Sequence, residues 1–356
     1  MKLMKLLSAF RRPILFTALL ASLFHFTNTG LRAAEPANPK ASKAARALLD
    51  HFHALGQKTE KRILSGQFAD FGKGAGLKLM EAIQEKTGEW PAMIGVDYAD
   101  FSRGGLTTSV PNRAAIDYWR QGGLVHISAH MYNPANTNGG GLRDKGVVIA
   151  DLLVEGTETH TRWMRQLDEM AAGLQELREA GVVVLWRPFH EMNGGWFWWG
   201  AQDFDAFIKV WRHMFVYFSE TKGLDNLLWV YGPNHGKNTA KYYAGDRYVD
   251  LVGLDAYTDF IDPEHILGYA EVAALPKPFG FSEYGPFGSR NPPGDYDYRR
   301  FLEGIQKHFP KTCYFMSWNG KWSLARNNFT REMLADPMVA NRDDLPREWS
   351  TPAKKP

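Results

Sequence analysis

The sequence predicts an α/β fold made of a single (β/α)8 TIM barrel. Short runs rich in Val, Ile and Leu recur along the 356 residues, and segments with apolar residues at helical spacing separate them. Parallel strands need such crossover helices, and strands that are apolar on both faces are typical of a sheet covered on both sides. A doubly wound open sheet is the alternative. We favour the barrel because no linker to a second domain is apparent and because polar and aromatic residues gather where the strands end.

The chain begins with a segment typical of a secretory signal peptide. It has five basic residues and no acidic one. It contains an apolar stretch at Ile14–Phe26, and small residues follow that stretch. That stretch is short for a membrane span, so we expect export rather than anchoring. The next residues are rich in Ala, Pro and Lys, which predicts a solvated linker. The expected organisation is a leader at 1–34, a linker at 35–46, the barrel at 47–345 and a tail at 346–356.

Eight candidate strands are apolar runs bounded by Gly, Pro or Asn. They are Arg62–Phe68, Pro91–Tyr98, Leu124–Met131, Val182–Phe189, Leu227–Pro233, Val249–Tyr257, Pro278–Gly285 and Thr312–Asn319. Between them, helical periodicity is clearest in Thr161–Ala180, Phe204–Thr221 and Tyr298–Phe309. Eight strand–helix units of this kind predict a closed barrel, whose catalytic face is formed by the carboxyl ends of the strands.

The slight excess of basic residues belongs mostly to the predicted leader. The leader holds five of the 42 Lys and Arg residues, so the rest of the chain has 37 bases against 39 acids. A chain so close to neutrality, without clustered Lys or Arg, has no electrostatic reason to bind nucleic acid or anionic lipid. We therefore expect a neutral partner. The single cysteine, Cys313, excludes an intramolecular disulfide.

The most informative stretch follows the predicted fourth strand and reads WRPFHEMNGGWFWWG, from Trp186 to Gly200. A lone Glu at a strand end is usually a structural hydrogen-bond acceptor, and aromatic residues usually belong to the core. Here, three Trp and a Phe around two glycines cannot all point inward from one loop. Sugar rings are one reason to expose them, because their apolar faces stack on Trp while their hydroxyls bond polar side chains.

A second carboxylate, Glu283, lies where the predicted seventh strand meets its loop. Glu191 and Glu283 then face each other across a barrel mouth, and a pair about 5–5.5 Å apart is typical of retaining glycosidases. One acid must be protonated to give its proton to the leaving oxygen, and the other must be ionised to attack carbon. Apolar surroundings and the charge of Glu283 favour the neutral form of Glu191. We assign Glu191 as acid/base and Glu283 as nucleophile.

Side chains at the ends of three other strands are further candidates. Tyr257 is placed to donate a hydrogen bond that keeps Glu283 charged and aimed. The alternative role for Tyr257 is that of an aromatic residue at the rim of the site. His126 and His130 share one face of the third strand, and His130, nearer the loop, is the better ligand for a hydroxyl. A buried, satisfied histidine is the alternative for either. Trp318 is expected to form the floor beneath the cleaved bond, with core packing as its alternative.

Motifs that suggest a metal or a cofactor fail on inspection. His190-Glu191 begins like a zinc-protease helix, but Gly194 stands where the second His ligand is required. The loop Gly72–Leu77 begins like a dinucleotide loop but has Leu77 at its last glycine position. We therefore expect no metal and no cofactor.

Together these motifs resemble those of glycoside hydrolase family 26, best known for endo-β-1,4-mannanases. The two longest are RPFHEMNGGWFWWG at 187–200 and SEYG at 282–285. The resemblance extends from about Ile63 to Trp322 through Gly95–Tyr98, His130 with Asn133-Pro134, Gly253–Tyr257 and Trp318-Asn319. It implies a (β/α)8 barrel that cleaves β-mannan with net retention and needs no cofactor.

The resemblance also implies roles for single residues. It assigns Glu191 as acid/base and Glu283 as nucleophile. At the site of cleavage it places four residues: His130, His190, Tyr257 and Trp318. It implies an aromatic contact on the leaving-group side for Trp196, support of the floor of the substrate-binding site for Arg187, and contacts to the glycone sugars for Asp97 and Asp100.

The family also contains β-1,3-xylanases and mixed-linkage glucanases, so membership would not fix the sugar. Because the loop after Glu191 looks most like the mannanase version, we expect an endo-acting mannanase that works by double displacement on mannan, glucomannan or galactomannan. The alternatives are the same mechanism on β-1,3-xylan or mixed-linkage β-glucan, and a barrel that binds polysaccharide without cutting it. We further expect a secreted or periplasmic monomer with no nucleic-acid partner and no membrane anchor.

Overall fold

The structure is a computed structural model that describes residues 35–57, 62–101, 104–136, 141–286 and 293–346. The predicted leader at 1–34 lies outside the described residues, as does all of the predicted tail except Pro346. No helix in the described part of the chain combines the length and the apolar character needed to cross a bilayer.

Within the described residues, eight parallel strands close into a barrel. Each strand pairs with the next along the chain, and the eighth pairs with both the seventh and the first. The strands are β1 Gly66–Phe71, β2 Met93–Asp97, β3 Leu124–Ala129, β4 Val184–Pro188, β5 Leu227–Tyr231, β6 Leu251–Tyr257, β7 Phe279–Gly285 and β8 Thr312–Ser317. The predicted barrel is confirmed, and every strand overlaps its predicted run.

Helices cover the outside of the barrel. They are α1 Lys43–Gln57, α2 Lys78–Thr87, α3 Ser109–Arg120, α4 Glu158–Glu179, α5 Phe204–Val216, α6 Tyr269–Ala273, α7 Tyr298–His308 and α8 Thr330–Leu334. A π-helical turn at Tyr217–Thr221 continues α5 to the predicted end of that helix. The connection from β5 to β6 contains only a 3-10 turn, Asp246–Tyr248, among its helical elements.

The strands supply the central layer of the core. All residues of β3, β4 and β5 are buried, because one face packs inside the barrel and the other packs under the helices. This double burial explains why the sequence shows continuous apolar runs there rather than alternation. Arg187, a polar exception in β4, lies near the carboxyl end of that strand, beside the site described below.

The prediction of a solvated linker at 35–46 is wrong. Ala37 and Ala41 are buried, and the Ala37 N–H donates to the Asp250 carboxylate at 2.7 Å. Helix α1 already begins at Lys43, and its buried face continues through Phe52. The composition misleads because alanine and lysine are common in linkers, whereas here Ala37 and Ala41 are buried in the core of the domain.

Candidate active site

A cavity of about 450 Å³ lies at the carboxyl ends of the strands. It is lined by His130, Arg143, Glu191, Trp196, Phe197, Asn234, His235, Tyr257 and Glu283. A larger cavity, of about 1170 Å³, lies at the amino-terminal ends of β1 and β8. Among the described residues that line it, Asp344 is the acidic one. Because both predicted catalytic carboxylates lie in the smaller cavity, we place the site there.

Glu191 follows β4 in a tight turn. Its N–H donates to the Gly232 carbonyl at 2.8 Å, which fixes the turn against the end of β5. The backbone φ is +49° at Phe189 and +55° at Glu191, a left-handed conformation that favours glycine. The Trp196 indole N–H donates to Glu191 Oε2 at 2.6 Å. Burial raises the pKa of Glu191 well above its usual range, and the charges of Glu283 and Asp255 act in the same direction.

Glu283 lies within β7 and is held by two donors. The Arg187 guanidinium from β4 donates to Oε2 at 2.6 Å, and the Tyr257 hydroxyl from the end of β6 donates to Oε1. The two donors hold both oxygens of the carboxylate in place. The environments of Glu191 and Glu283 therefore differ in the way that an acid and a nucleophile require.

Asp255 is a site residue that the sequence analysis missed. It is fully buried, accepts from the Ser282 hydroxyl at 2.7 Å, and forms an ion pair with Arg187. Burial raises the pKa of Asp255 to about 8, although Arg187 opposes the shift. Asp255 thus orients the guanidinium that holds Glu283. The sequence could have indicated that Asp255 lies at the site, because Asp255 and Tyr257 are two residues apart on one strand and so share a face.

His130 is positioned from below by Asp97. Its Nδ1 lies 2.8 Å from Asp97 Oδ2, which also accepts from Ser128 at 2.5 Å. Burial alone would raise the pKa of Asp97, but the charge and hydrogen bond of His130, helped by Ser128 and a backbone N–H, hold it below its usual value. His126, four residues before His130 and inside β3, is buried and does not line the cavity.

The expectation that Asp97 contacts a sugar is therefore corrected. Its side chain has no exposed surface, and the hydroxyl, ring and backbone donors around it are all protein groups. Asp97 acts on a ligand only through His130. Arg187 is likewise almost fully buried, and its guanidinium is paired with two carboxylates rather than exposed to the cavity. Asp100 is buried as well, and its carboxylate accepts from the Thr107 hydroxyl at 2.9 Å.

His190 lies beside His130, with 3.0 Å between their Nε2 atoms. Burial lowers the pKa of His190 well below its usual value, and the charges of His130 and Arg187 lower it further. A neutral His190 leaves one of the two facing ring nitrogens as donor and the other as acceptor. His130 lines the cavity, and His190 lies behind it as a fixed partner.

The aromatic residues of the loop after Glu191 divide between site and core. Trp196 and Phe197 line the cavity. Trp198 and Trp199 are buried, and their indole N–H groups donate to the carbonyls of Met131 and His190, both at 2.8 Å. Trp318 is nearly buried, stacks on Phe68 at 4.0 Å between ring centroids, and lies 6.4 Å from the ring of His130.

Three residues that line the cavity were not predicted from the sequence: Arg143, Asn234 and His235. They belong to the loops after β3 and β5, which show no periodicity that would indicate where they fold. Among the described residues, no group of three or more His, Cys, Asp or Glu side chains is arranged to hold a metal ion.

Comparisons with known proteins agree on one family. Residues 37–344 match the model of Glycosyl hydrolase family 26. The chain is 35% identical to the mannan endo-1,4-beta-mannosidase of Bacillus subtilis strain 168 over 355 residues, covering 93% of this chain and 95% of the relative. It is 36% identical to mannan endo-1,4-beta-mannosidase A and B of Caldalkalibacillus mannanilyticus over 332 residues, covering 89% of this chain but 64% of that relative's length.

Among solved structures, the chain superposes on a Bacillus subtilis mannanase with a TM-score of 0.78 and 35% sequence identity. That match covers 87% of this chain and 96% of the other.

Proposed function

Because the chain belongs to glycosyl hydrolase family 26, we propose that it is an endo-acting, retaining enzyme that hydrolyses the β-1,4-mannosidic bonds of mannan, glucomannan or galactomannan. The observation that carries the proposal is the contrast between two buried carboxylates in one cavity. Burial and neighbouring charges favour the protonated form of Glu191, whereas Arg187 and Tyr257 donate to Glu283. This is the division of labour that double displacement needs.

In the first step, Glu283 attacks the anomeric carbon while Glu191 gives its proton to the leaving oxygen. The bond to the leaving sugar breaks and a glycosyl ester of Glu283 forms. Glu191, now ionised, then removes a proton from water, and that water attacks the same carbon and releases Glu283. The configuration at the anomeric carbon is inverted twice and so retained.

Other residues are assigned positioning and binding roles. Arg187 and Tyr257 hold and aim Glu283, and Asp255 fixes Arg187. His130 contacts the sugar at the cleavage point, and His190 and Trp318 lie beside it and position it. Trp196 offers its indole face to the sugar on the leaving-group side while its N–H remains on Glu191.

The proposal is tested by incubating the purified protein with mannan, β-1,3-xylan and lichenan. We expect internal cleavage of mannan, with the β-anomer as the first product by NMR. Glu283→Ala should abolish turnover while binding of mannan survives, because it removes the nucleophile alone. Preference for β-1,3-xylan or lichenan would redirect the substrate assignment.

The matched control is Glu264→Ala, which removes an exposed carboxylate from the loop after β6. It should cleave mannan like the unmodified protein. Binding of mannan without cleavage by the unmodified protein would identify a non-catalytic polysaccharide-binding barrel.

The proposal includes a place of action. A polymer such as mannan does not enter cells, and residues 1–34 have the composition of an export signal. We therefore assign the protein to the periplasm or the medium, as a monomer. Amino-terminal sequencing of exported protein is expected to begin close to residue 35.

A further inference from the structure

Two side chains in the catalytic cavity take no part in the proposed mechanism. Arg143 and His235 both line it. Within the described ranges, no hydrogen bond or ion pair engages the Arg143 guanidinium. The buried Nδ1 of His235 has no hydrogen-bond partner there, and the backbone of His265 is the protein group that the imidazole meets. Polar groups in a cavity that have no protein partner are available to a ligand.

The loop that carries Arg143 is fixed in place. On one side of Arg143, the Leu142 carbonyl accepts from the backbone N–H of Trp198 at 3.0 Å, which joins the loop to the one that carries Glu191. On the other side, the Asp144 carboxylate accepts from the Asn133 amide at 2.9 Å. Because both neighbours are tied to the domain, the backbone at Arg143 presents its side chain to the cavity without needing to be ordered by substrate.

His235 is fixed in a similar way from the opposite flank. The Asn193 side chain accepts from the Asn234 N–H at 2.9 Å and donates to the Asn234 carbonyl at 2.7 Å. The His235 N–H donates to the Asp255 carbonyl at 2.8 Å. The loop after β5 is thereby joined both to the catalytic loop and to the end of β6.

Glu191 defines which part of the cavity these residues serve. The acid gives its proton to the leaving oxygen, so the leaving sugar extends from the side on which Glu191 and its partner Trp196 lie. The loops bearing Arg143 and His235 are both bonded to that same catalytic loop, at Trp198 and Asn193. The cation that lowers the pKa of Glu191 is Arg187, beneath the carboxyl, so Arg143 is not needed to tune the acid.

We propose that Arg143 and His235 bind hydroxyl groups of the sugar on the leaving-group side of the scissile bond, an inference that rests on the proposed function. Trp196 provides the apolar face, and the guanidinium fork and the imidazole provide polar contacts on either flank. This combination of one aromatic surface and lateral polar groups suits a neutral pyranose ring. Arg143 and His235 thus help to set where along a mannan chain the bond is cut.

The experiment compares two substrates that differ only beyond the cleaved bond. Mannotetraose has sugars on the leaving-group side, whereas β-mannobiosyl fluoride has a single fluorine atom there. For Arg143→Met and for His235→Ala, kcat/KM should fall at least about tenfold more on mannotetraose than on the fluoride, since a hydrogen bond to a charged or buried group is lost only with the former. Arg143→Lys should fall between the unmodified protein and Arg143→Met, because it keeps the charge but loses the fork.

The matched control is Lys237→Met, which removes a neighbouring cation that does not line the cavity. In this variant, kcat/KM should change little, and to the same extent on both substrates. Equal losses on the two substrates for Arg143→Met, or no loss on mannotetraose, would overturn the inference. If the unmodified protein cleaves neither substrate, it is the proposed function that fails, and the two failures are thereby distinguished.

Discussion

At the scale of single residues, Glu283 depends on donors from two other strands. Arg187 comes from β4 and Tyr257 from β6, and Asp255 on β6 in turn holds Arg187. Each donor approaches a different oxygen of the carboxylate, so the plane of the carboxyl group is fixed. The proposed nucleophile is thereby aimed before any substrate arrives.

Removal of the Tyr257 hydroxyl tests this arrangement. Tyr257→Phe keeps the ring and its edge contact with Trp322, at 5.7 Å between centroids, but leaves Oε1 of Glu283 without that donor. We expect kcat on mannan to fall about tenfold to a hundredfold, as for a lost hydrogen bond to a charged group. Tyr217→Phe, whose hydroxyl bonds the surface residue Asp168, is the control. A rate within twofold of the unmodified protein would contradict the role of Tyr257.

The acid/base residue makes a separate prediction about pH. Glu191 must be protonated for the first step, so kcat/KM falls as pH rises through its raised pKa. The hydrogen bond from Trp196 favours the ionised form and lowers that pKa, against the larger effect of burial. Trp196→Phe removes the donor and should therefore move the alkaline limb of the kcat/KM profile to higher pH, whatever the loss in absolute rate.

The control for this measurement is Trp90→Phe, which alters a tryptophan that packs against Arg342 away from the cavity. Its alkaline limb should coincide with that of the unmodified protein. A limb that stays in place, or moves to lower pH, in Trp196→Phe would show that the indole does not stabilise the ionised carboxyl.

Sequence reasoning identified the catalytic candidates but not all of their partners. Glu191 and Glu283 stood out because a carboxylate at the end of an apolar strand is chemically conspicuous. The family resemblance implied that Asp97 contacts the sugar, yet its carboxylate faces His130 and Ser128 instead. Arg143 and His235 were missed because the approach of one loop to another depends on packing that no local pattern encodes.

At the scale of elements, the strands were predictable because both of their faces are buried. β4 at Val184–Pro188 falls inside the predicted run Val182–Phe189, and the predicted helix at 204–221 matches α5 with its π-helical turn. The connection from β5 to β6 departs from the expected pattern, since it has a 3-10 turn in place of a helix. Helix α1 also begins inside the segment that was predicted to be a solvated linker.

The packing of α1 makes a prediction at this scale. Phe52 has no exposed surface and meets the ring of Tyr314 in β8 edge-on, at 5.7 Å between centroids. Phe52→Ala should lower the free energy of unfolding by about 3–5 kcal/mol, as for a large aromatic side chain lost from a core. Activity at low temperature should persist, because Phe52 does not line the catalytic cavity.

Denaturant unfolding measures this loss, and Phe260→Ala is the matched control. Phe260 is 50% exposed, so its removal should cost far less than that of Phe52. Equal losses for the two variants would mean that α1 is not part of the stabilising core.

At the scale of the whole molecule, the balance of charge predicts how the protein meets its substrate. Without the predicted leader the chain has 37 basic and 39 acidic residues, and mannan is uncharged. Long-range attraction therefore contributes little to encounter. We expect kcat/KM on mannan to change less than about twofold between roughly 50 and 500 mM NaCl, a range over which screening is strong. A tenfold fall would indicate that a charged surface recruits the polymer.

The backbone around His190 has a consequence for how such a protein can adapt to heat. Phe189 and Glu191 both occupy a region of φ that penalises side chains by about 1 kcal/mol or more each. A glycine at 191 would relieve that penalty but remove the proposed proton donor. Thermal stability and turnover are therefore opposed at this position. A lineage moving to hotter habitats would have to gain stability elsewhere, for instance where α1 packs against β8, away from the catalytic cavity.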